Sequence, residues 1–384
     1  MFSSNPIVDP RPHLRRNRPD AVVMYFDPAT LQATAKRFQA GFAGLVTYAV
    51  KANATPVVLE NLAAAGIRAF DVASPREMDL VAAAAPGAKM HYNNPVRSRA
   101  EVAKGIAAGV VSWSVDGLGE LEKLGKPRFA GEEVAVRLAL PVKGASYDFG
   151  AKFGETPDGC VDLLQEVERR GFTPAMTFHP GTQCADPNAW GEYIRVCAAV
   201  AHRAGVRLAR LNVGGGFAAH RFGAAPDLEA IFATIAAETR AAFGDQAPKL
   251  VCEPGRAMVA ESFVLATRVK ALREDGAVFL NDGIYGALSE LRDIGPTDRV
   301  LVVSPEGQDR RGALMPRMIF GPTCDSLDCL PAPVALPKDI REEDYVLFSG
   351  MGAYSLAIAT AFNGYGPAQV VTLLGGPEKK AGAA

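Results

Sequence analysis

The stretch LVTYAVKANATPVVLENLAAAGIRAFDVASPREMDLVAAAAPGAKMHYNN, residues 45–94, alternates two kinds of segment. Three runs, Leu45–Ala52, Ala69–Ser74 and Lys89–Asn94, are short, apolar and β-prone. Between them Thr55–Ala65 and Pro75–Ala85 are longer, Ala-rich and apolar at helical spacing. The alternation continues to about residue 255. Further strand candidates are Val110–Asp116, Glu133–Leu140, Thr173–Gly181, Leu208–Gly214 and Lys249–Pro254, which makes eight. Further helix candidates are Ser98–Ala108, Pro157–Arg170, Pro187–Ala204 and Asp227–Phe243. Each helix candidate starts with Pro, Ser, Thr or Asp, the residues that favour helix N-termini. Eight β/α units in about 210 residues predict an α/β protein built on a (β/α)8 TIM-like barrel. An open doubly wound sheet is the alternative.

After Arg256 the pattern changes. Ser262–Leu272, Val278–Asn281, Met315–Phe320, Asp344–Phe348 and Gln369–Thr372 read as strands separated by Gly, Pro and acidic turns, an all-β domain. The expected organisation is a barrel over 22–256, a C-terminal β domain over 257–376 and a disordered tail over 377–384. The N-terminal segment 1–21 can join the β domain, and Val22–Phe26 can serve either unit.

Composition narrows the function. Among 384 residues, Lys+Arg number 41 and Asp+Glu 42, a formal net charge of -1. That balance gives no support to nucleic-acid or anionic-membrane binding. No apolar run approaches the roughly 18 residues of a membrane span. The polar, Pro- and Arg-rich start lacks the apolar core of a secretory signal, so a cytoplasmic location is expected. The six cysteines, at positions 160, 184, 197, 252, 324 and 329, form no CxxC pair and suggest no metal site. They are expected to be mostly reduced. Glycine (38) and proline (27) are enriched, which means either many turns or places where backbone approaches a ligand.

In a (β/α)8 barrel the chemistry lies at the C-terminal ends of the strands. Strand one ends in Lys51, where partial desolvation would make the amine a nucleophile toward carbonyls; the plain alternative is a snorkelling lysine. Strand two ends after Asp71. Strand six ends in His179-Pro180-Gly181-Thr182. Strand seven ends in Gly214-Gly215-Gly216, whose N–H groups can cradle a phosphate or simply form a turn. Strand eight ends in Glu253-Pro254-Gly255-Arg256, which is either a structural ion pair or a carboxylate and a phosphate-binding guanidinium at one rim. Together these supply an aldehyde-reactive amine, a phosphate cradle, an arginine and a carboxylate. That set meets the needs of pyridoxal 5'-phosphate.

YAVKAN, FDVAS, LNVGGGF, CEPGR, NDGIYG, FGPTCDSLD and MGAYS follow one another along the chain. In that order the sequence resembles the fold-type III pyridoxal-phosphate decarboxylases, the ornithine/diaminopimelate/arginine decarboxylase family. The resemblance runs from about Pro19 to Gly376. It implies an alanine-racemase-like barrel with a C-terminal β domain. It implies that Lys51 holds the cofactor aldehyde and that Glu253 keeps the ring nitrogen protonated. Gly214 to Gly216, Gly255, Arg256, Thr182 and Tyr354 would bind the phosphate. His179 would stack on the ring, Asp71 would lie near Lys51 and the ring hydroxyl, and Arg137 would steady the charged groups.

The family works as a homodimer with shared active sites. Cys324 and Asp325 would therefore reach the site from the partner subunit, the first to protonate the former Cα and the second to bind the distal ammonium. Lys152 and Asp328 would pair between subunits. Asp325-Ser326 matches the ornithine-type pattern, where diaminopimelate enzymes carry Glu-Ser. Ornithine is the first expectation and lysine the second, since one methylene is worth only about 1–3 kcal/mol in a pocket. Tyr285 and a second acid, Asp293 with Glu290 as rival, would complete the amine pocket. Three departures stand out. HPGTQ replaces the usual HVGS, Asn212 replaces a common Asp, and the segment after NDGIYG is out of register by about one residue. An amino-acid racemase would leave Glu253, Cys324 and Asp325 without purpose. An inactive regulatory homologue would have lost the lysine, the glycines or the cysteine. A decarboxylase of carboxylated polyamines is a third rival.

Overall fold

The computed structural model describes residues 9–140, 152–295, 297–367 and 369–373. It divides into two compact units. One comprises 34–219 and 226–258, and the other the described residues up to 33, 220–225 and those from 259 onward. The expected tail 377–384 lies outside the described residues.

The first unit is the barrel. Its strands run Gly44–Val46, Tyr48–Ala49, Ala69–Val72, Lys89–Tyr92, Ser112–Val115, Glu133–Arg137, Thr173–Thr177, Arg210–Asn212 and Lys249–Cys252, all parallel to their neighbours. The first two are halves of a single strand interrupted at Thr47. Gly44–Val46 pairs with Lys249–Cys252, and Tyr48–Ala49 pairs with Ala69–Val72, so the ring closes across that residue. Thr47 bridges the break, its N–H and Oγ1 both donating to the Cys252 carbonyl at 2.9 Å. Eight strands in a closed ring exclude the open doubly wound sheet.

The helices start where the sequence chemistry says they should. Ser74, Ser98, Thr156, Asp186 and Asp227 each cap a helix through a side-chain oxygen, and Ser98 with Glu101 completes a capping box. A short helix, Leu118–Leu124, lies in a gap with no expected element.

Several expected strands are shorter than the apolar runs. Thr173–Gly181 stops at Thr177 and Leu208–Gly214 at Asn212, because the following Pro, Gly and His residues leave the ladder to form the rim. Strand one stops at Ala49. Val50–Ala52 is a 3₁₀ turn, held by Asn53 N–H donating to the Val50 carbonyl (3.1 Å) and Tyr48 OH donating to the Asn53 carbonyl (3.0 Å).

The second unit is built on antiparallel strands. Phe263–Leu272 lies centrally, between Tyr345–Ser349 and Val23–Phe26, with Val300–Val303 beyond the former. Gln369–Thr372 pairs parallel to Val23–Phe26. The barrel expected from residue 22 therefore starts later, because Val23–Phe26 spends its backbone hydrogen bonds on Phe263–Ala266 and its side chains on the β core. That core contains Leu14, Val23, Tyr25, Ala266, Val303, Tyr345 and Leu347. Met315–Phe320 splits into Leu314–Arg317 and Ile319–Phe320, which pair with different strands. Among the described residues no helix is long and apolar enough to cross a membrane.

Candidate active site

A cavity of about 240 Å³ opens at the C-terminal rim of the barrel. Lys51, Asp71, Asn93, Arg137, His179 and Glu253 line it, each from the end of a different strand or the turn after it. The fold thus brings together the rim residues that the sequence scattered over two hundred positions.

Lys51 sits on the 3₁₀ turn and not on the strand. Its flanking residues Val50 and Ala52 are buried, while its own side chain is exposed, so the desolvation expected of it is absent here. Its ammonium still acts on its neighbours. It pulls the carboxyls of Asp71, Glu77 and Glu253 down and opposes protonation of His179.

Glu253 is buried, and burial pushes its carboxyl up against the pull of Lys51, the Asn212 amide and Arg137. Burial raises Asp71 further, with the Glu253 charge adding to it. Burial, Lys51 and Arg137 hold His179 well below the usual imidazole range, so the ring is neutral. Its Nδ1 accepts from the Gly181 N–H at 3.1 Å, which leaves the proton on Nε2. Arg137 lies over the Phe153 ring at 5.3 Å.

The glycine turn is sterically required. Gly214 (φ +68) and Gly216 (φ +84) have left-handed backbones, and a Cβ on them would strike the carbonyl oxygens of Phe178 and Gly181. Thr182 and Arg256 are buried beside this rim. Gly255 packs its Cα face against Ala49 and Ala52.

These groups fit pyridoxal phosphate. An amine and a buried carboxylate face one cavity, beside a turn of glycines that admits no Cβ. Asp71 Oδ1 is buried with no hydrogen-bond partner, an acceptor waiting for a donor such as a ring hydroxyl.

The remaining expected residues lie in the β unit. Tyr285 OH donates to Asp325 Oδ2 at 2.5 Å and the Leu327 N–H to Oδ1 at 2.9 Å, and together they hold that half-buried carboxyl below the usual range. Cys324 is exposed; Cys160, Cys184, Cys197 and Cys252 are all buried. The Cys324 N–H and Sγ both donate to Asn363 Oδ1, at 3.2 and 3.4 Å. Phe362 stacks obliquely on Tyr285 with ring centres 5.0 Å apart. Tyr354 has a left-handed backbone (φ +59), on the turn after Tyr345–Ser349.

Asp328 is buried within its own unit, accepting from the Ile284 N–H, the Thr323 N–H and Thr323 Oγ1. It pins two loops together. Asp293 is exposed and spent on Arg292 at 2.8 Å. Its rival Glu290 is buried, 3.9 Å from Arg221.

Sequence reading missed Asn93, Glu77 and Asn363. Asn93 had a signal, since it is the second-last residue of the expected strand Lys89–Asn94. Glu77 had the weaker one of following the Ser74 cap by three residues. Asn363 had none, because its contact with Cys324 joins two loops 39 residues apart.

The family model described as the pyridoxal-binding domain of pyridoxal-dependent decarboxylases matches residues 29–260. The lysine/ornithine decarboxylase of Selenomonas ruminantium is 32% identical over 342 residues, covering 87% of this chain and 84% of that protein. The decarboxylase flvG of Aspergillus flavus is 32% identical over 337 residues, covering 83% and 77%. The crystal structure of lysine/ornithine decarboxylase from Vibrio vulnificus complexed with cadaverine superposes with a TM-score of 0.80 at 28% identity, over 92% of this chain and 94% of that one.

Proposed function

The chain belongs to the fold-type III pyridoxal 5'-phosphate-dependent decarboxylases, and from that premise we propose that it converts L-ornithine to putrescine and carbon dioxide. L-Lysine, giving cadaverine, is the secondary substrate; the likeness to lysine/ornithine decarboxylases favours it. The reaction belongs to polyamine biosynthesis in the cytoplasm.

When bound, pyridoxal phosphate supplies a sink for the electron pair that the departing carbon dioxide leaves behind. Lys51 would hold its aldehyde. Glu253 would pair with the ring nitrogen and keep a proton there. Asp71 would accept from the ring hydroxyl, and neutral His179 would cover the ring without adding charge. Gly214, Gly215, Gly216, Gly255, Thr182, Arg256 and Tyr354 would hold the phosphate, and Arg137 would balance the two buried carboxylates.

Two copies of the chain form each site. The loop Gly321–Asp328 of one copy brings Cys324 and Asp325 to the barrel of the other. Cys324 delivers a proton to the former Cα. Asp325 takes the distal ammonium in a charge-assisted contact, with Tyr285 fixing its geometry. Asp293 serves as the second acid only if Arg292 releases it. The inter-subunit pair of Lys152 with Asp328 has no free carboxylate to use, since Asp328 is buried and held by Ile284 and Thr323.

The observation that carries this reading is the half-buried Asp325 carboxylate, kept ionised by the Tyr285 hydroxyl beside an exposed cysteine. A single ionised acid suits a terminal ammonium and repels a second carboxylate. The test is carbon dioxide release from L-ornithine, L-lysine, D-ornithine, L-arginine and meso-diaminopimelate, with and without added cofactor. Ornithine should turn over fastest, with lysine second. Faster release from arginine or meso-diaminopimelate would overturn the substrate assignment.

A further inference from the structure

Two buried amides converge on one oxygen of one carboxylate. Asn93, just past the strand Lys89–Tyr92, donates from Nδ2 to Glu253 Oε1 at 2.5 Å. Asn212, the last residue of the strand Arg210–Asn212, donates from its own Nδ2 to the same oxygen. The orientation of the Asn212 amide is fixed independently. Its Oδ1 accepts the Gly214 N–H at 3.0 Å, which turns its NH₂ toward Glu253. Asn93, Asn212 and Glu253 are each less than one-tenth exposed. A carboxylate oxygen offers about two lone-pair directions, and two N–H donors fill them. The second oxygen is left for another partner.

We propose that Asn93 and Asn212 are positioning residues that clamp Oε1 of Glu253 and commit its second oxygen to the ring nitrogen of bound pyridoxal phosphate. The inference rests on the assignment of Glu253 to that nitrogen. The clamp also bears on the charge state. The Asn212 amide favours the ionised carboxylate in a place where burial disfavours it, while Asn93 also bonds the neighbouring Asp71.

The other charges around Glu253 are few. Lys51 and Arg137 favour its ionisation, Asp71 opposes it, and His179 is neutral. Two cations thus face two buried carboxylates, with the asparagines supplying the remaining stabilisation without further charge. Asn212 does a second task, since the amide that holds Glu253 also holds Gly214. One side chain therefore ties the ring-nitrogen partner to the start of the glycine turn.

Asn212→Asp tests the clamp in the holoenzyme. It keeps an acceptor for the Gly214 N–H but replaces the donor to Glu253 with a second carboxylate. The acid limb of the kcat/KM profile for L-ornithine should rise by about one pH unit or more, as for other close carboxylate pairs. The pH midpoint of the visible absorption of bound cofactor should move with it, and activity should recover as pH rises. Asn93→Ala should shift both in the same direction by less, and it carries the test if Asn212→Asp does not fold. A purely structural role would lower the rate at every pH and leave the midpoint in place; that result in both variants overturns the clamp. Glu253→Gln separates the two assignments. An unchanged cofactor spectrum in Glu253→Gln overturns its pairing with the ring nitrogen. A changed spectrum there, with unmoved midpoints in the asparagine variants, overturns the clamp alone.

Discussion

Residue chemistry at the barrel rim makes the sharpest predictions. Lys51 lines the cavity with Asp71, His179 and Glu253, and Lys152 lines it as well. Lys51→Ala should abolish the visible absorption of bound cofactor and reduce decarboxylation by several orders of magnitude. Spectrophotometry of the reconstituted protein checks this, and an unchanged spectrum and rate would refute the role of Lys51. Cys324 is exposed while four other cysteines are buried, and its thiol is aimed by Asn363. Cys324→Ala should slow product formation and misdirect the proton, giving an aldehyde by-product beside putrescine. Clean putrescine at the normal rate would remove Cys324 from the chemistry. At this scale the sequence was informative wherever a chemically distinctive side chain followed an apolar run. Lys51, Asp71, His179 and Glu253 all do so. It was silent on Asn363, whose partner lies on another loop.

Individual elements carry pH dependence of opposite sign in the two units. In the barrel, burial together with Arg210 and Lys89 pushes His91 on the strand Lys89–Tyr92 down to about 3. It is accompanied by a buried polar group, Ser112 donating to Glu133 at 2.7 Å with Arg210 at 3.4 Å from the same side chain. Below its unfolded pKa of about 6.5 the unfolded chain binds a proton that folded His91 refuses. Stability contributed there is present above about 6.5 and is lost as pH falls toward 3. In the β unit, burial raises Asp282 to about 7 within the turn Asn281–Gly286. Folded Asp282 holds a proton that the unfolded chain has released, so its contribution is present below about 4 and is lost as pH rises through 7. Each has a ceiling of roughly 4–5 kcal/mol, at about 1.4 kcal/mol per pH unit. Thermal unfolding across pH 4 to 8 should show His91→Gln gaining relative stability at the acid end and Asp282→Asn at the alkaline end. Parallel curves for variant and parent would show that neither group titrates as its burial demands. The elements themselves were legible because capping residues and helical spacing are local signals. Their C-terminal limits were not, because an apolar residue that turns out of the ladder to build a rim looks the same as one that stays in it.

For the whole molecule, counting eight β/α units was enough to predict a closed barrel, since alternation at that spacing has few compact solutions. The β unit was harder to read. Its central pairing joins Val23–Phe26 to Phe263–Ala266 and to Gln369–Thr372, segments hundreds of residues apart, and no local pattern selects one distant partner over another. Assembly is the remaining level. The barrel carries Lys51 and Glu253, and the β unit carries Cys324 and Asp325. If each site draws Lys51 from one copy and Cys324 from another, the two defects are separable. Lys51→Ala, nearly inactive as a homodimer, and Cys324→Ala, slowed and misdirected as one, should complement in clean putrescine formation when mixed and allowed to exchange. Half of a randomised population is heterodimeric, and each heterodimer has one site with both defects and one with neither. The mixture should therefore regain about one quarter of the parental rate. It should do so on the timescale of subunit exchange, with the intact site showing ordinary cofactor absorption. Sites built within a single copy would show no recovery at any mixing ratio, because every site would then carry one lesion or the other.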